Sequence, residues 1–225
     1  MKFDRYAIYY TPKGALAEAG AAWLGWDLAR GRAVAHPEVA GLDVAALTET
    51  PRKYGLHATI KPPFVLAKGA SADGVLTEFE TLCTRLAPVT LDGLALTPLG
   101  RFLALTPAGD TAALNAMAAE VVRGLDPFRA PPTEADLARR RQANLTPVQE
   151  ANLSQWGYPY VMEAFRFHIT LTGKLPKGDL PQVTAALAPY ITPHLPQPFV
   201  LDSLTLVGQA PDGMFHEVHR AALSG

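Results

Sequence analysis

The sequence predicts an α+β fold with largely antiparallel sheets and helices covering one face. Segments with strand periodicity alternate with segments of helical periodicity, and some neighbouring strands are separated only by short turns. A β-α-β-β order appears once after residue 57 and again, approximately, after residue 168. No composition break or long linker divides the 225 residues, so we expect a single domain, 1–225, made of two similar lobes.

The elements of the first half follow from local patterns. RYAIYYTP (5–12) is rich in aromatic residues and stops at Pro12, which favours a strand. The Ala- and Leu-rich stretch 14–31 is bounded by glycines and favours a helix, whereas 36–53 is predicted as a loop with a short helical turn. The remaining elements are a strand at 57–64, a helix at 71–88, a β-hairpin at 89–109 and a helix at 110–125.

A helical insert, about 127–160, separates the two halves. Thr133 and Thr146 each begin a capping-box pattern, which predicts two short helices, the second ending at Gly157. The elements after the insert are a strand at 165–173, a helix at 179–191 and strands at 199–209 and 214–223.

The composition is that of a globular protein with a substantial core, since 48% of the residues are hydrophobic and 18% are charged. The formal net charge of −1 lacks the bulk positive charge by which proteins bind DNA or RNA. The N-terminus does not resemble a signal peptide, and no apolar run is long enough to span a membrane. The single cysteine, Cys83, is predicted to be buried in a helix, and we expect a cytoplasmic protein without membrane contact.

Two strands carry a histidine and a threonine on the same face. Side chains alternate along a strand, so His57 and Thr59 in YGLHATIKPPF share one face, as do His168 and Thr170 in FRFHITLTGKLP. The alternate positions of both strands are apolar and predict the side that faces the core. The two motifs are 111 residues apart, close to half the chain, as a duplicated lobe would require.

Two histidines in one cleft can divide acid and base catalysis between them, because the unperturbed imidazole pKa lies near neutrality. Each proton transfer of this kind accelerates a reaction typically by about 10²–10⁴-fold. Threonine hydroxyls can hydrogen-bond the non-bridging phosphoryl oxygens as charge builds there. These groups suit phosphodiester cleavage without a metal, above all the opening of a strained cyclic ester.

The paired HATI and HITL strands resemble those of the 2H phosphoesterase superfamily, which is named for two H-x-T/S motifs. RYAIYYTP, YGLHATIKPPF and WGYPYVMEAFRFHITLTG are more narrowly similar to a bacterial branch found with phosphonate-utilisation genes. The resemblance implies a bilobed, pseudo-twofold fold of duplicated βαββ-type lobes, whose antiparallel sheets line a central cleft and whose helices lie outside.

The same resemblance implies a catalytic set of His57 and His168 as the acid–base pair, with Thr59 and Thr170 contacting the phosphate. No cofactor is implied. The gene context of the branch suggests a small phosphodiester or cyclic phosphate, sugar- or nucleotide-like; an RNA end is less favoured, and neither DNA nor a membrane is expected as a partner. The residues do not decide which histidine is the base, and the working assignment is His168 as base and His57 as acid.

Other candidates share these strands or lie near them. Lys61 and Arg166 fall on the predicted faces of the two histidines, where they either bind phosphate or remain solvated. Tyr10, at the end of the first strand, and Tyr158, in WGYPY, either pack structurally or contact substrate. The run Arg139–Arg141 is either a solvated helix face or a lid that brings one arginine to the cleft.

Two rival hypotheses remain. The first is a binding module that holds a phosphorylated ligand or RNA end in the same cleft without turning it over. The second is a metal-dependent enzyme that uses His57 and His168 as ligands, which is disfavoured because no Asp or Glu shares their strand faces. FHEVH (215–219) is not a metal motif if it is a strand, and the sequence contains no phosphate-binding glycine motif.

Overall fold

One antiparallel sheet of seven strands organises the fold, and the computed structural model describes residues 2–225. The strands are β1 (Arg5–Tyr10), β2 (Trp26–Asp27), β3 (Arg32–Ala33), β4 (Ala58–Phe64), β5 (Val89–Leu91), β6 (Gly93–Leu99), β7 (Phe102–Ala108), β8 (Ile169–Thr170), β9 (Phe199–Leu201), β10 (Ser203–Gln209) and β11 (Phe215–Ala222). The large sheet has the order β11-β10-β1-β4-β8-β7-β6, while β2 pairs with β3 and β5 with β9. The predicted α+β class with antiparallel strands is confirmed.

Helices lie around this sheet. They are α1 (Gly14–Leu24), α2 (Val44–Arg52), α3 (Ala72–Arg85), α4 (Ala112–Gly124), α5 (Glu134–Arg141), α6 (Pro147–Trp156) and α7 (Leu180–Ile191). The main core lies between the sheet and α1, α3, α4 and α7, and it takes alternate strand residues such as Ile8, Ala58 and Ile169. A smaller cluster around Tyr9 and Phe215 lies on the opposite face. None of the helices within residues 2–225 has the length and apolar character needed to cross a membrane.

The segment 36–53, predicted as a loop with a short helical turn, contains a nine-residue helix, α2. The Asp43 side chain caps it by accepting a hydrogen bond from the Ala46 amide, and Val44, Thr48 and Pro51 form its buried stripe. Pro51 lacks the N–H that would donate to the Leu47 carbonyl, and the Gly173 amide donates to that carbonyl instead at 2.7 Å. Helix α2 borders the cleft through Thr50 and Pro51.

Strands β4 and β8 join the two halves of the sheet through one paired position, Ala58 with Ile169. The strand predicted at 165–173 is reduced to the two residues of β8. The next residue still bonds to β7, since the Leu171 amide donates to the Leu103 carbonyl, whereas the Gly173 amide donates to the Leu47 carbonyl in α2.

A β-bulge in β4 reverses the side on which Lys61 lies. Tyr9 pairs with Thr59, but the next pair is Ile8 with Lys61, so one extra β4 residue is accommodated between them. Since directly opposed residues share a face, Lys61 joins Ile8 on the core side. Its ammonium donates to the Val122 carbonyl at 3.0 Å. The prediction that Lys61 faces the histidines is therefore wrong.

Burial dominates the electrostatics of Lys61. The side chain is 2% exposed, and loss of hydration lowers its pKa to about 8, although Asp126, 3.5 Å away, favours the charged form. Lys61 therefore ties β4 to the end of α4 and to the turn that follows it.

We expect Lys61→Ala to lower the free energy of unfolding by about 2–4 kcal/mol, because it opens a cavity and leaves the Val122 carbonyl without its donor. Lys61→Met keeps the aliphatic stem and avoids burying a charge, so its loss should be clearly smaller. Urea unfolding of both variants measures the difference. Wild-type stability in both would mean that Lys61 is not buried.

Candidate active site

The register of β4 and β8 gathers the two His-x-Thr motifs. In an antiparallel ladder, residues flanking a paired position face each other on the opposite side of the sheet. The Ala58–Ile169 pair therefore puts His57 across from Thr170, and Thr59 across from His168. The two histidines become diagonal neighbours, whose Cβ atoms are roughly 7–8 Å apart by strand geometry.

Both imidazoles are held by the same contact. The His57 Nδ1 atom lies 2.9 Å from the Gly55 carbonyl oxygen, and the His168 Nδ1 atom lies 2.8 Å from the Arg166 carbonyl oxygen. Because a carbonyl only accepts hydrogen bonds, each Nδ1 carries the proton. In neutral His57 the Nε2 atom is then an acceptor, and the Thr59 hydroxyl donates to it at 3.1 Å.

The turn before β4 places the first of these carbonyls. Gly55 has φ 66°, a left-handed conformation in which a side chain is strained. A Cβ atom at this position would also lie 2.7 Å from the Leu28 Cβ, so the site requires glycine for two independent reasons. YGLH is thus a glycine turn that leads from α2 into the strand and orients the His57 ring.

Aromatic side chains enclose His57. The Tyr9 ring stacks on the imidazole with a centroid distance of 3.9 Å and an interplanar angle of 29°, and the Tyr54 ring lies 5.8 Å away. Loss of hydration is the main cause that lowers the His57 pKa to about 4; nearby His168 adds to this, and the Gly55 carbonyl opposes it. His57 is therefore neutral at physiological pH.

The motifs open onto a cavity of about 350 Å³. Three cationic side chains line it: Arg5 from β1, Arg140 from α5, and Lys174 from the segment after β8. Within residues 2–225, no Asp or Glu is among the residues that line this cleft. His168 lies beside the cavity, with its ring 5.9 Å from that of Phe102, which forms part of the wall. The arrangement suits an anionic ligand.

A match to a family model covers most of the chain. Residues 59–216 match the family described as "Protein of unknown function (DUF1045)". The chain belongs to the DUF1045 family.

Curated relatives of this DUF1045 chain are about twice its length. "Ribose 1,5-bisphosphate phosphokinase PhnN" from Janthinobacterium sp. (strain Marseille) is 36% identical over 231 residues, which cover 98% of this chain and 51% of the relative. The protein of the same name from Laribacter hongkongensis (strain HLHK9) is 37% identical over 200 residues, covering 86% of this chain and 46% of the relative. The chain thus spans about half the length of these relatives.

Among solved structures, the DUF1045 chain is similar to E. coli LigT complexed with 3′-AMP, with a TM-score of 0.47 and 15% identity. A crystal structure described as a phosphoesterase gives a TM-score of 0.43 and 14% identity. Both comparisons cover 100% of each chain. Similarity at this level does not bear on activity.

Several residues singled out from the sequence border the cleft. Thr59, Thr170 and Tyr158 line it, and so does Arg140 from the Arg139–Arg141 run. The Arg140 guanidinium carbon lies 4.5 Å from the centre of the Tyr158 ring. Burial raises the pKa of Tyr158, so its hydroxyl remains protonated and can donate a hydrogen bond.

Two predicted substrate contacts are wrong. Tyr10 is buried on the core side of β1, where its ring packs against Phe167 and Phe199, because it pairs with Ala58 rather than with a cleft residue. Arg166 is exposed and does not line the cavity; its Nη1 atom donates to the Phe165 carbonyl at 2.7 Å and the Glu163 carbonyl at 3.3 Å.

The sequence interpretation missed other lining residues. Tyr9 is one of them, and strand alternation places it on the face of β1 opposite Tyr10. Arg5 lies on the face of Tyr9 and reaches the cleft. Thr50 belongs to α2, where a loop with a short helical turn is predicted, and Lys174 comes directly after the strand predicted at 165–173. Strand alternation within RYAIYY was the signal that could have identified Tyr9 and Arg5.

Tyr9→Leu should raise the pKa of His57 from about 4 toward its usual value of 6.5, because removing the stacked ring admits water to the imidazole. Tyr9→Phe is the matched control: it keeps the stacked ring and removes only a buried hydroxyl that has no hydrogen-bond partner within residues 2–225. Histidine titration by NMR, with His57→Gln for assignment, gives both values. An unchanged pKa in Tyr9→Leu would exclude this role of the ring.

The lowered pKa of His57 also makes stability depend on pH. Between about pH 6.5 and pH 4 the unfolded chain binds more protons at this residue than the folded protein, so stability falls as the pH falls. The shift corresponds to a loss on the order of 3 kcal/mol across this window. His57→Gln should lose less stability between about pH 7 and pH 4.5 than the wild type does in urea unfolding. Equal losses in the two proteins would contradict the shift.

Proposed function

We propose that this chain is a metal-independent phosphodiesterase of the 2H type, which hydrolyses a small phosphodiester or cyclic phosphate. The observation that carries the proposal is the pair of imidazoles on adjacent strands, each fixed through Nδ1 to the carbonyl two residues before it. This arrangement keeps both Nε2 atoms off the backbone carbonyls, and in the proposal a bound ligand replaces the Thr59 hydroxyl that hydrogen-bonds the His57 Nε2 atom. Two hydroxyls from Thr59 and Thr170 accompany the imidazoles.

His57 is the general base in this proposal, which reverses the working assignment drawn from the sequence. A base must be unprotonated at the operating pH, and burial keeps His57 neutral with Nε2 as the acceptor. His168 is left as the acid. The assignment of base and acid follows from the burial of His57, which cannot be read from the sequence alone.

The reaction follows from these roles. The His57 Nε2 atom takes a proton from water as the water oxygen bonds to phosphorus. The bond between phosphorus and the ester oxygen breaks, and protonated His168 gives its proton to that leaving oxygen. Thr59 and Thr170 donate hydrogen bonds to the non-bridging oxygens, where negative charge grows in the transition state.

Charge around the cleft supports an anionic substrate and a reaction without a metal. Arg5, Arg140 and Lys174 supply fixed positive charge along the cavity wall. Within residues 2–225, no group of three or more His, Cys, Asp or Glu side chains is arranged to hold a metal ion. In the proposed mechanism this positive charge attracts the anionic substrate into the cleft.

The substrate class we propose is a sugar- or nucleotide-like cyclic phosphate from phosphonate metabolism. The relatives carry a name that concerns ribose 1,5-bisphosphate, and this chain spans about half of them. Opening a cyclic phosphodiester on a ribose that already carries a phosphate produces a ribose with two phosphates. A hydrolase of that kind would supply the molecule for which the relatives are named.

His57→Ala and His168→Ala should each lower kcat/KM by about 10²–10⁴-fold, because each removes one proton transfer. A panel of cyclic nucleotides, cyclic ribose phosphates and short RNAs provides the substrates. His194→Ala is the matched control, since this histidine lies on a turn outside the cleft, and it should retain activity. Wild-type protein that binds these compounds without turning them over would instead identify a binding module.

The pH profile of kcat/KM should be bell-shaped, and activity should survive EDTA. The acidic limb should lie well below pH 6.5, because activity is lost as His57 becomes protonated near pH 4. The alkaline limb reports loss of the proton from the acid. A flat profile, or inactivation by EDTA that added metal reverses, would argue against the two-histidine mechanism.

A further inference from the structure

A second cavity of about 220 Å³ adjoins the cleft. Arg5, Pro63 and Arg140 line both cavities, so they mark the junction. Two more arginines, Arg129 and Arg139, line the second cavity. The one acidic side chain on this wall within the described residues is Asp136, and it lies 2.6 Å from Arg139.

The arginines differ in whether a carboxylate already neutralises them. Asp126 binds Arg129 at 2.8 Å, and Glu150 binds Arg141 at 2.7 Å. Arg140 has no salt bridge with a carboxylate in residues 2–225, and neither has Arg5, whose Nε donates to the neutral Gln209 side chain at 2.6 Å. The two junction arginines are therefore the ones available to an added anion.

The surroundings of Arg140 hold it ready for such a ligand. Its guanidinium lies over the Tyr158 ring, a cation–π contact that fixes the position of the group at the junction. Arg141, the next residue, turns away to Glu150 and lines neither cavity. Helix α5 thus places Arg140 at the junction, whereas Glu150 neutralises Arg141 outside both cavities.

We propose that this junction is a second anion subsite, at which Arg5 and Arg140 bind a phosphoryl group of the substrate other than the one that is cleaved. The inference rests on the proposed function, and it adds that the preferred substrate carries two phosphate groups. A guanidinium binds phosphate oxygens through paired, charge-assisted hydrogen bonds. A second phosphate would supply the anion that both arginines lack.

The spacing fits a phosphate at each end of one sugar unit. Thr59 and Pro63 are four residues apart on β4, which corresponds to roughly 13 Å of extended strand. The bulge shortens this path, and the arginine side chains extend over the cavity wall. We therefore expect the two phosphorus atoms to lie on the order of 10 Å apart or less.

The test compares adenosine 2′,3′-cyclic phosphate with the same compound carrying a 5′-phosphate. Wild-type kcat/KM should be about tenfold or more higher for the 5′-phosphorylated compound, as expected when a charged hydrogen bond is gained. Arg140→Met and Arg5→Met should each bring this ratio close to one. Arg141→Met, an arginine on the same helix outside both cavities, is the control and should keep the wild-type ratio. Circular dichroism verifies that each variant is folded.

A wild-type ratio near one, or an equal fall in the ratio for Arg140→Met and Arg141→Met, would overturn the subsite. If neither compound is hydrolysed, the proposed reaction fails, but the subsite is still decided by calorimetric binding of ribose 5-phosphate. Binding that is at least tenfold weaker in Arg140→Met than in Arg141→Met supports it. Equal binding to both variants refutes it.

Discussion

The pairing of Ala58 with Ile169 is the constraint on which the site depends. Neither side chain carries a reactive group, and both are buried in the core. Their pairing nevertheless fixes which residues of the two motifs face one another, since a shift of one residue would turn a histidine into the apolar interior. Because β8 is only two residues long, this register is maintained by contacts outside it. The Trp23 indole donates to the Leu171 carbonyl at 2.7 Å, which ties α1 to the chain just after β8.

A second constraint acts on the rings themselves. Each histidine donates Nδ1–H to the carbonyl two residues earlier, so the backbone that leads into the strand selects the tautomer. The two halves use different surroundings for the same contact. A glycine turn leads into His57, which aromatic rings enclose, whereas an exposed arginine precedes His168. The enclosed surroundings of His57 account for its lowered pKa.

Period-two reasoning predicted much of this arrangement and failed where the period was interrupted. It put His57 with Thr59, and His168 with Thr170, on shared faces, because these positions precede any irregularity. It put Lys61 on the wrong face because a bulge depends on how two strands pair and cannot be seen in the sequence of one strand. The strand prediction around β8 was too long for a similar reason: the residues after Thr170 have strand-like alternation, but the Gly173 amide donates to α2 rather than to a strand.

The helix that carries Arg140 contributes no buried residue to the core. Capping boxes at Thr133 and Thr146 define where α5 and α6 begin, so local bonds rather than tertiary packing determine their starts. The sheet that fixes the imidazoles therefore does not depend on buried contacts from α5. Substitutions on the exposed face of residues 134–141 should therefore cost little folding free energy, although this stretch forms part of the cleft wall.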